Sequence, residues 1–470
     1  MMSYNEDHPL EFQVTFKIKL KNKIGVLAKT MNIISSFPAQ FGTIDIIEVT
    51  KDYTIRNITI KTVNEETAKE IHHALSQYQD IQVIYVADQI LLHHQGGKLE
   101  IKSKKAIINR DDLSIVYTPG VAKVCKEIHQ DPQKVYDFTI KSNTVAVVSD
   151  GSAILGLGNL GPEAAIPVME GKAILFKTFG NVDAFPICLK TQDVDEIVNI
   201  VKQLEPVFGG INLEDIAAPR CFEIEERLIN ELNIPVFHDD QHGTAIVVTA
   251  ALINALKIVN KKYEDVKVIL VGVGAAGIAC TKMMLQLGIK NIIGFDRNGA
   301  ISKERKDLNK YKLWFAENTN PYNEKGSLEK LIQGADIFIG LSGPNILSVE
   351  MVKKMNRDAI IFALSNPDPE IKPELAQPYA KIIATGRSDY PNQINNVLCF
   401  PGLFRGLLDS RAKHITDEIK MASAYAIANT IPEEQLMPDY IVPSVFDPNV
   451  ALNVSKAVIS TVNKSKEKIY

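Results

Sequence analysis

Two pairs of adjacent carboxylates stand where the chain passes from loop or extended structure into a helix. Glu214-Asp215 lies in GGINLEDIAAPR, and Asp239-Asp240 lies in IPVFHDDQHGTA. Carboxylate oxygens are the ligands that hard divalent cations prefer. A lone acidic pair could instead cap a helix, but apolar residues flank both pairs, and burying these acids without a cation would be costly. The sequence therefore predicts a divalent cation site.

One lysine and one tyrosine are placed to move protons. Lys172, in IPVMEGKAILFKTFG, precedes an apolar run that we expect to form a strand, so its ammonium should be partly desolvated. Desolvation and a nearby cation both lower the pKa of a lysine, as a general base near neutral pH requires. A surface lysine is the alternative, and Lys177 is the nearest competitor. Tyr117 precedes a Thr-Pro-Gly turn that could expose its hydroxyl, although it could also cap the core.

The glycine pattern G-x-G-x-x-G, which can bring a backbone close to a diphosphate, occurs twice. Its glycines are Gly156, Gly158 and Gly161 in the first copy and Gly272, Gly274 and Gly277 in the second. The second copy follows an apolar strand and opens a helix in which Ala275 and Ala276 allow close packing, which is the context of a dinucleotide site. The first copy runs into Pro162-Glu163, so we interpret it as a tight loop near a ligand.

An acid at the end of the next predicted strand affects the choice of dinucleotide. Asp296 ends NIIGFD, 19 residues after Gly277, near the offset at which a carboxylate accepts hydrogen bonds from the adenosine ribose. Such a carboxylate repels a 2′-phosphate, which favours NAD over NADP. Arg297, next to it, could instead receive that phosphate, so NADP is the alternative.

The hydrophobic pattern predicts two α/β domains that position these residues. Apolar runs in the second of them occupy residues 266–271, 291–295, 335–339, 359–364 and 381–384. Continuous apolar strands that alternate with helices predict a Rossmann-type, doubly wound parallel sheet over residues 246–470. Its ligand should bind at the carboxyl ends of the strands. Residues 98–245, which carry the lysine and the acidic pairs, should form a preceding α/β catalytic domain.

The first 90 residues have a different organisation. Strand-like runs occur near 11–20, 41–49, 54–63 and 81–86, with helical spacing near 24–34 and 65–77. This β-α-β-β-α-β order predicts a small ferredoxin-like domain over residues 8–90. The order, with Gly25 at the first strand-to-helix turn, resembles an ACT domain, which implies a small effector and pairing with a second copy. A plain dimerisation domain is the alternative, and His93, His94 and the following glycines are interpreted as a linker.

Composition excludes several classes of protein. The 470 residues are 46% hydrophobic and 23% charged, with a net charge of −4 and no long basic run, which argues against nucleic-acid and membrane partners. The 5 cysteines are scattered without a C-x-x-C pair, which argues against a disulfide framework or a thiolate zinc site. The N-terminus MMSYNEDHPLEF has no apolar core, so no secretory signal is predicted. We therefore expect a cytoplasmic protein of about three domains.

Ordered motifs resemble the smaller bacterial form of malic enzyme over roughly residues 105–460. They are YTPGVA, SDGSAILGLGNLGPEAAIPVMEGKAILFK, INLEDIAAPRCFEIE, PVFHDDQHGTA, VGVGAAGIA, FALSNPDPE and TGRSDYPNQINNVLCFPG. The resemblance implies oxidative decarboxylation of (S)-malate to pyruvate and CO₂ with reduction of NAD or NADP. It also implies a requirement for Mg²⁺ or Mn²⁺ and assembly as a homodimer.

The resemblance also implies roles for individual residues. Lys172 would be the general base that takes the malate hydroxyl proton, and Tyr117 would be the general acid that protonates C3 of enolpyruvate. Asp239 would support this catalytic network. The cation ligands would be Glu214, Asp215 and Asp240.

Substrate recognition departs from the family pattern at one point. Large eukaryotic members carry an arginine after Asp-Gly, where this chain has Ala153. We therefore expect Ser152, with the cation and two asparagines, Asn366 and Asn396, to replace that arginine in recognising the substrate carboxylate. The resemblance implies that Asn366 and Asn396 contact substrate and nicotinamide.

Three other interpretations compete with this one. A malolactic enzyme would keep the same residues but return the hydride to pyruvate and release lactate. An amino-acid dehydrogenase also combines a lysine with a Rossmann domain but needs no metal. A non-enzymatic effector sensor on a decayed dehydrogenase scaffold is disfavoured, because Tyr117, Lys172 and both acidic pairs are intact.

Overall fold

In a computed structural model that describes residues 12–467, the chain forms two compact units. One unit ends at Glu100, and the other begins at Ile101. The first residues of the domain predicted over 8–90, and most of the N-terminus expected to lack a secretory signal, lie outside the described residues.

The N-terminal unit has the β-α-β-β-α-β order that the sequence predicts. Its elements are β1 (Phe12–Lys21), α1 (Val26–Ser35), β2 (Ala39–Val49), β3 (Tyr53–Thr62), α2 (Glu65–Ser76) and β4 (Ile81–Asp88). The antiparallel sheet has the order β2-β3-β1-β4. Alternate residues of β1 from Val14 to Leu20 are buried, as expected for a strand with one face on a core. The segment predicted as a linker instead begins with a helix, α3 (Gln89–His94), which Asp88 caps.

The second unit contains two parallel sheets, and the first of these carries the lysine and the acidic pairs. This sheet has the strand order β6-β5-β7-β8. The elements of this region are α4 (Arg110–Val116), α5 (Val121–Gln130), α6 (Val135–Phe138), β5 (Thr144–Ser149), α7 (Pro162–Gly180), β6 (Asp183–Cys188), α8 (Val194–Leu204), β7 (Gly210–Leu213), α9 (Arg220–Glu231) and β8 (Val236–His238). Every residue of β5 and β7 is buried, as in a parallel sheet covered on both faces.

The second sheet is the predicted Rossmann-type sheet, with the order β11-β10-β9-β12-β13-β14. All neighbours are parallel except the short edge strand β11. The elements of this region are α10 (Thr244–Val259), β9 (Lys267–Val271), α11 (Ala275–Leu287), β10 (Asn291–Asp296), β11 (Gly299–Ala300), α12 (Lys310–Asn318), α13 (Leu328–Leu331), β12 (Ile337–Gly340), α14 (Val349–Val352), β13 (Ala359–Ala363), α15 (Pro373–Ala376), β14 (Ala380–Thr385), α16 (Phe400–Ser410), α17 (Asp417–Ala428) and α18 (Pro448–Glu467). The predicted apolar runs are its parallel strands.

The C-terminal helices return to the helix that carries the lysine. The rings of Phe400, on α16, and Phe176, on α7, have centroids 4.6 Å apart. Helix α18 packs closely on α16, because a Cβ at Gly402 would lie 2.6 Å from the backbone oxygen of Ala451. Residues 246–470 therefore support α7 as well as forming the Rossmann-type sheet.

One helical stretch is apolar enough to be compared with a membrane span. The stretch Asp239–Val259 is long and apolar enough to cross a membrane, but 72% of its most apolar segment is buried inside the protein. This stretch contains α10, which packs against α11 and α17. Burial against these helices therefore explains why the stretch is apolar.

The two units should fold separately. The N-terminal core contains residues from Val14 to Ile81, whereas the cores of the second unit contain residues from Val145 onward, so the units share no core residue among those described. We expect a chain of residues 101–470 to unfold cooperatively, with a Tm within about 5 °C of the transition that the same region gives in the full chain. Circular dichroism and calorimetry measure the unfolding transitions of the truncated chain and of the full chain. A truncated chain without a cooperative transition would contradict this prediction.

Candidate active site

Three carboxylates meet at the carboxyl ends of β7 and β8. Glu214 and Asp215 directly follow β7, and Asp240 lies in the π-helical turn that follows β8. One oxygen atom from each of the three lies within 4.8 Å of the others. Asp215 adopts a left-handed backbone conformation, with φ 54°, and its N–H donates to Asp240 Oδ2 at 2.9 Å. The structure thus brings the three predicted ligands together as an all-oxygen set suited to a hard cation.

Burial makes two of these acids, Glu214 and Asp215, difficult to ionise. Burial raises the pKa of Glu214 well above its usual range, and the charges of Asp240 and Asp239 add to this effect while Lys172 opposes it. Burial, together with Asp240, also raises the pKa of Asp215 to about 7. Asp215 Oδ2 and Asp239 Oδ1 are buried without a hydrogen-bond partner in the described part of the chain. A bound cation would offset this concentration of negative charge.

Lys172 lies within α7, whereas the sequence analysis placed it before a strand. Its Nζ donates to Glu214 Oε1 at 2.8 Å and to Asp239 Oδ2, and lies 4.3 Å from the centroid of the Phe400 ring. Burial lowers the pKa of Lys172, but the two carboxylates outweigh burial and raise it above its usual value. This direction is opposite to the predicted one, because the sequence did not show that the ammonium would contact two carboxylates.

Asp239 connects Lys172 to the motif that contains Asn396. Asn396 Nδ2 donates to Asp239 Oδ2 at 3.0 Å, and Asn396 Oδ1 accepts from Thr244 Oγ1 at 3.2 Å. The sequence analysis missed Gly243, where a Cβ would lie 2.0 Å from Asp239 Oδ1. A glycine in the turn next to two acids was the available signal. The predicted base, its supporting acid and one predicted asparagine therefore form one network.

Tyr117 does not join this network within the chain. It follows α4, and 67% of its surface is exposed. Among the described residues, no hydrogen bond links its hydroxyl to Lys172 or to the four acids. The predicted exposure of the hydroxyl is therefore seen, but a contact with the other predicted catalytic residues is not.

The first glycine pattern joins a strand to a helix, from β5 to α7, which the sequence analysis did not expect. Gly156, Gly158 and Gly161 all adopt positive φ, from 76° to 98°. A Cβ at Gly156 would lie 3.5 Å from the backbone oxygen of Asn366, which is itself exposed. The loop thus approaches the segment that contains the second predicted asparagine.

A second network, centred on Asp150, adjoins the carboxylates. Asp150 is fully buried at the end of β5 and accepts from Ser152 Oγ at 2.5 Å and from Arg220 Nη2 at 3.2 Å. Ser152 Oγ in turn accepts from the Ala217 N–H at 2.9 Å. The sequence analysis missed Asp150 and Arg220. The signal was an arginine shortly after the first acidic pair, but nothing local indicated its partner.

Two histidines near the second acidic pair lie outside the set of carboxylates. His242 Nε2 lies 3.0 Å from Glu225 Oε2, and His238 Nδ1 lies 3.9 Å from Asp240 Oδ2. Burial lowers the pKa of His242, although Glu225 opposes this effect. Within residues 12–467, neither histidine belongs to a cluster of three or more metal-ligating side chains.

The second glycine pattern forms the turn from β9 to α11. Gly272 adopts φ 106°, and a Cβ there would lie 2.4 Å from a backbone oxygen that follows β12. A Cβ at Gly277 would lie 2.2 Å from the oxygen of Gly272, so both positions require glycine. Gly274 has open space around it, and Ala275 and Ala276 begin α11. The first backbone N–H groups of this helix could therefore hold a diphosphate.

Asp296 ends β10 but is not a free hydrogen-bond acceptor. Its Oδ1 accepts from the Asn298 N–H at 2.9 Å and from Arg305 at 2.7 Å, and its Oδ2 accepts from Arg305 at 3.1 Å and from Lys312 at 2.5 Å. A carboxylate has about four acceptor positions, so these contacts fill them. Burial raises the pKa of Asp296, but Arg305 and Lys312 outweigh burial and lower it. Two cations thus offset the charge expected to repel a 2′-phosphate, and Arg297 is exposed beside them.

Comparisons with known proteins cover nearly the whole second unit. The family model "Malic enzyme, N-terminal domain" matches residues 96–229, and "Malic enzyme, NAD binding domain" matches residues 241–465. The chain is 56% identical to the NAD-dependent malic enzyme of Geobacillus stearothermophilus over 452 residues, 96% of this chain and 95% of that one.

Two further proteins are similar over more than three quarters of the chain. The chain is 57% identical to the bifunctional malic/malolactic enzyme of Bacillus subtilis over 364 residues, 77% of this chain and 89% of that one. The crystal structure of the NAD-dependent malic enzyme of Thermotoga maritima matches with a TM-score of 0.77 at 51% identity. That match covers 79% of this chain and 99% of the other.

The raised pKa values predict how stability depends on pH and metal. Asp215 ionises near pH 4 when unfolded but near pH 7 in the fold, and Glu214 shifts the same way. The native state therefore holds extra protons between these values, and stability in metal-free buffer should fall as pH rises from about 5 to 8.

Mn²⁺ should reverse this loss, because it binds the ionised acids. We expect the Tm increase produced by Mn²⁺ to be larger at pH 8 than at pH 5.5, measured by thermal denaturation with and without a chelator. Asp215→Asn should reduce the difference, and Asp195→Asn, an exposed acid, should not. Equal stabilisation by Mn²⁺ at both pH values would contradict the cation site.

Proposed function

This chain belongs to the malic enzyme family and catalyses the oxidative decarboxylation of malate to pyruvate and CO₂ with reduction of NAD or NADP; we propose that the residues around Lys172 carry out this reaction. The observation that carries the proposal is the buried ammonium of Lys172, which contacts Glu214 and Asp239 beside three clustered carboxylates. One site thus combines a proton carrier with a ligand set for a cation.

Glu214, Asp215 and Asp240 would hold Mg²⁺ or Mn²⁺. Their mutual distances and the unpartnered, buried Oδ2 of Asp215 fit a hard cation. When bound, the cation would polarise the oxygen on C2 and stabilise the negative charge released as CO₂ leaves. Sharing the charge of Glu214 with a cation would also lower the pKa of Lys172 toward the range that a general base needs.

Lys172 would take the proton of the malate hydroxyl while the C2 hydride passes to the nicotinamide. Glu214 and Asp239 hold its Nζ in one place, and Asn396 fixes Asp239 in turn. The amine therefore keeps one orientation during proton transfer. Asn396 and Asn366 would contact substrate and nicotinamide, and the turn from Gly272 to Gly277 would bind the diphosphate.

Tyr117 would return a proton to C3 of enolpyruvate within a homodimer. Helices α4 and α5 bury none of their residues, and Ile108, Leu113, Ile115 and Val121 are exposed near Tyr117 in the sequence. Exposed apolar surface of this kind is typical of subunit contacts. A second copy of the chain would cover this segment, and Tyr117 would act in the assembled enzyme.

The malolactic reaction is the second candidate. The same lysine, acids and dinucleotide would serve it, with the hydride returned to pyruvate and lactate released. It is favoured by one observation, the 57% identity to a relative named as a bifunctional malic/malolactic enzyme. Identifying the product as pyruvate or lactate, and following NADH in steady state, separates the two reactions.

The N-terminal unit would act as an ACT-like regulatory domain for a small effector such as an amino acid. Its sheet order and the left-handed Gly25, with φ 87° before α1, support this assignment. The chain truncated to residues 101–470 should then oxidise malate without responding to the effector.

A cytoplasmic location is supported by cysteines that are all unpaired.

Removing the amine of Lys172 should abolish malate oxidation while the protein stays folded. Lys172→Met keeps most of the side-chain volume beside Phe400, and we expect kcat to fall by about 10²- to 10⁴-fold, as for loss of a general base. Titration of NADH fluorescence should show that dinucleotide binding persists. Lys177→Met, at an exposed position on the same helix, should keep normal turnover. Near-normal turnover of Lys172→Met would contradict the assignment of the base.

Asp296 should control cofactor choice through the cations that it holds. We propose that the chain prefers NAD and that Asp296→Asn, by releasing Arg305 and Lys312, raises the NADP to NAD ratio of kcat/KM by about tenfold or more. Asp307→Asn removes the other acid bound to Arg305 and should change the ratio less. Binding of 2′,5′-ADP provides an independent readout. An unchanged ratio and unchanged binding would exclude this role.

A further inference from the structure

We propose that Arg220 receives the C4 carboxylate of malate, an inference that rests on the proposed function. Malate carries two carboxylates, and if a cation held by the three acids served the hydroxyl end of malate, the C4 carboxylate would need a positive partner from the chain. Two cationic side chains, Lys172 and Arg220, form ion pairs with the acids of the site in the described structure. Lys172 already contacts two carboxylates, so Arg220 is the remaining candidate.

Two hydrogen bonds link the position of Arg220 to that of the cation ligands. It is the first residue of α9, and its Nη2 donates to Asp150 Oδ2 at 3.2 Å. Asp150 belongs to the same turn as Ala153, whose N–H donates to the backbone oxygen of Asp215 at 2.9 Å. The guanidinium therefore lies next to the turn that adjoins the cation ligands, where Ala153 itself offers no charge.

Ser152, the residue expected from the sequence to meet the substrate carboxylate, is engaged elsewhere. Its hydroxyl is 2.5 Å from Asp150 Oδ1, to which it donates its only proton, and it accepts from the Ala217 N–H. A hydroxyl has one donor, so Ser152 cannot also donate to a carboxylate without losing Asp150. Its role here is to orient Asp150, which in turn holds Arg220.

Arg220 keeps donors for a ligand after it binds Asp150. A guanidinium has five N–H donors, and the Nε of Arg220 is buried without a partner among residues 12–467. The side chain is 34% exposed. It borders a cavity of about 270 Å³ that residues at the starts of α9 and α12, among them Tyr311, also line. A planar, partly exposed guanidinium that keeps N–H donors without partners matches the geometry of a carboxylate.

The test compares malate with pyruvate, which lacks the C4 carboxylate. In the full-length enzyme, Arg220→Gln should raise the KM for malate by about 10- to 100-fold, while the inhibition constant of pyruvate stays within about twofold. Arg220→Lys keeps the charge without the fork and should give an intermediate KM. Arg227→Gln, on the same helix at a similar exposure but paired with Asp195, is the matched control and should change neither constant.

A double variant separates substrate binding from neutralisation of Asp150. If Arg220 served only to balance that buried acid, Asp150→Asn combined with Arg220→Gln would restore the normal KM for malate. If Arg220 binds substrate, the double variant stays defective for malate and normal for pyruvate. If Arg220→Gln alone does not fold, the double variant still provides the test, because it removes both charges of the Asp150–Arg220 ion pair.

The outcomes also separate this inference from the proposed function. If the unaltered chain does not oxidise malate, the proposed function fails, whatever the variants do. If it does oxidise malate, and Arg220→Gln leaves the KM unchanged or weakens malate and pyruvate equally, only the role of Arg220 is overturned.

Discussion

The concentration of negative charge around Lys172 is the constraint on which the rest of the site depends. Glu214 and Asp239 contact a single buried ammonium, and the buried Asp215 and the partly exposed Asp240 lie beside them, so the acids outnumber the cation. An isolated buried charge is costly, and repulsion between neighbouring acids adds to the cost. The fold must therefore hold these acids together against their repulsion, which a divalent cation would offset.

Several structural features hold the acids in place. The parallel strands β7 and β8 end side by side and deliver the two acidic pairs to one edge of the sheet. The missing side chain at Gly243 leaves room for the carboxylate of Asp239. Helices α16 and α18 return from the end of the chain to support α7, which carries Lys172. Elements far apart in the sequence thus serve one cluster of charge.

The sequence predicted those parts of the fold and site that depend on local patterns. Continuous apolar runs predicted the strands of the Rossmann-type sheet, because buried parallel strands need no polar face. The acidic pairs were recognised because their apolar flanks indicated burial of adjacent carboxylates.

The features that the sequence could not predict depend on contacts between distant residues. Lys172 meets Asp239 across 67 positions, and Arg220 meets Asp150 across 70. These pairings reverse the expected pKa shift of the lysine and replace Ser152 by Arg220 as the candidate partner of the substrate. Asp296 was located correctly at the end of β10, but its saturation by Arg305 and Lys312 comes from a loop and a helix with no distinctive pattern.

The charge of the site also predicts an order in which it is filled. Malate brings two negative charges to a place where acids already outnumber bases, so its entry before the cation would add repulsion at close range. Glu214, Asp215 and Asp240 would hold a divalent cation, whose charge would offset two of the acidic charges before malate enters. Arg220 can then serve the C4 end of malate, because Asp150, which Ser152 orients, keeps the guanidinium in place. The two acid-centred networks, one around the cation ligands and one around Asp150, thus match the two ends of the substrate.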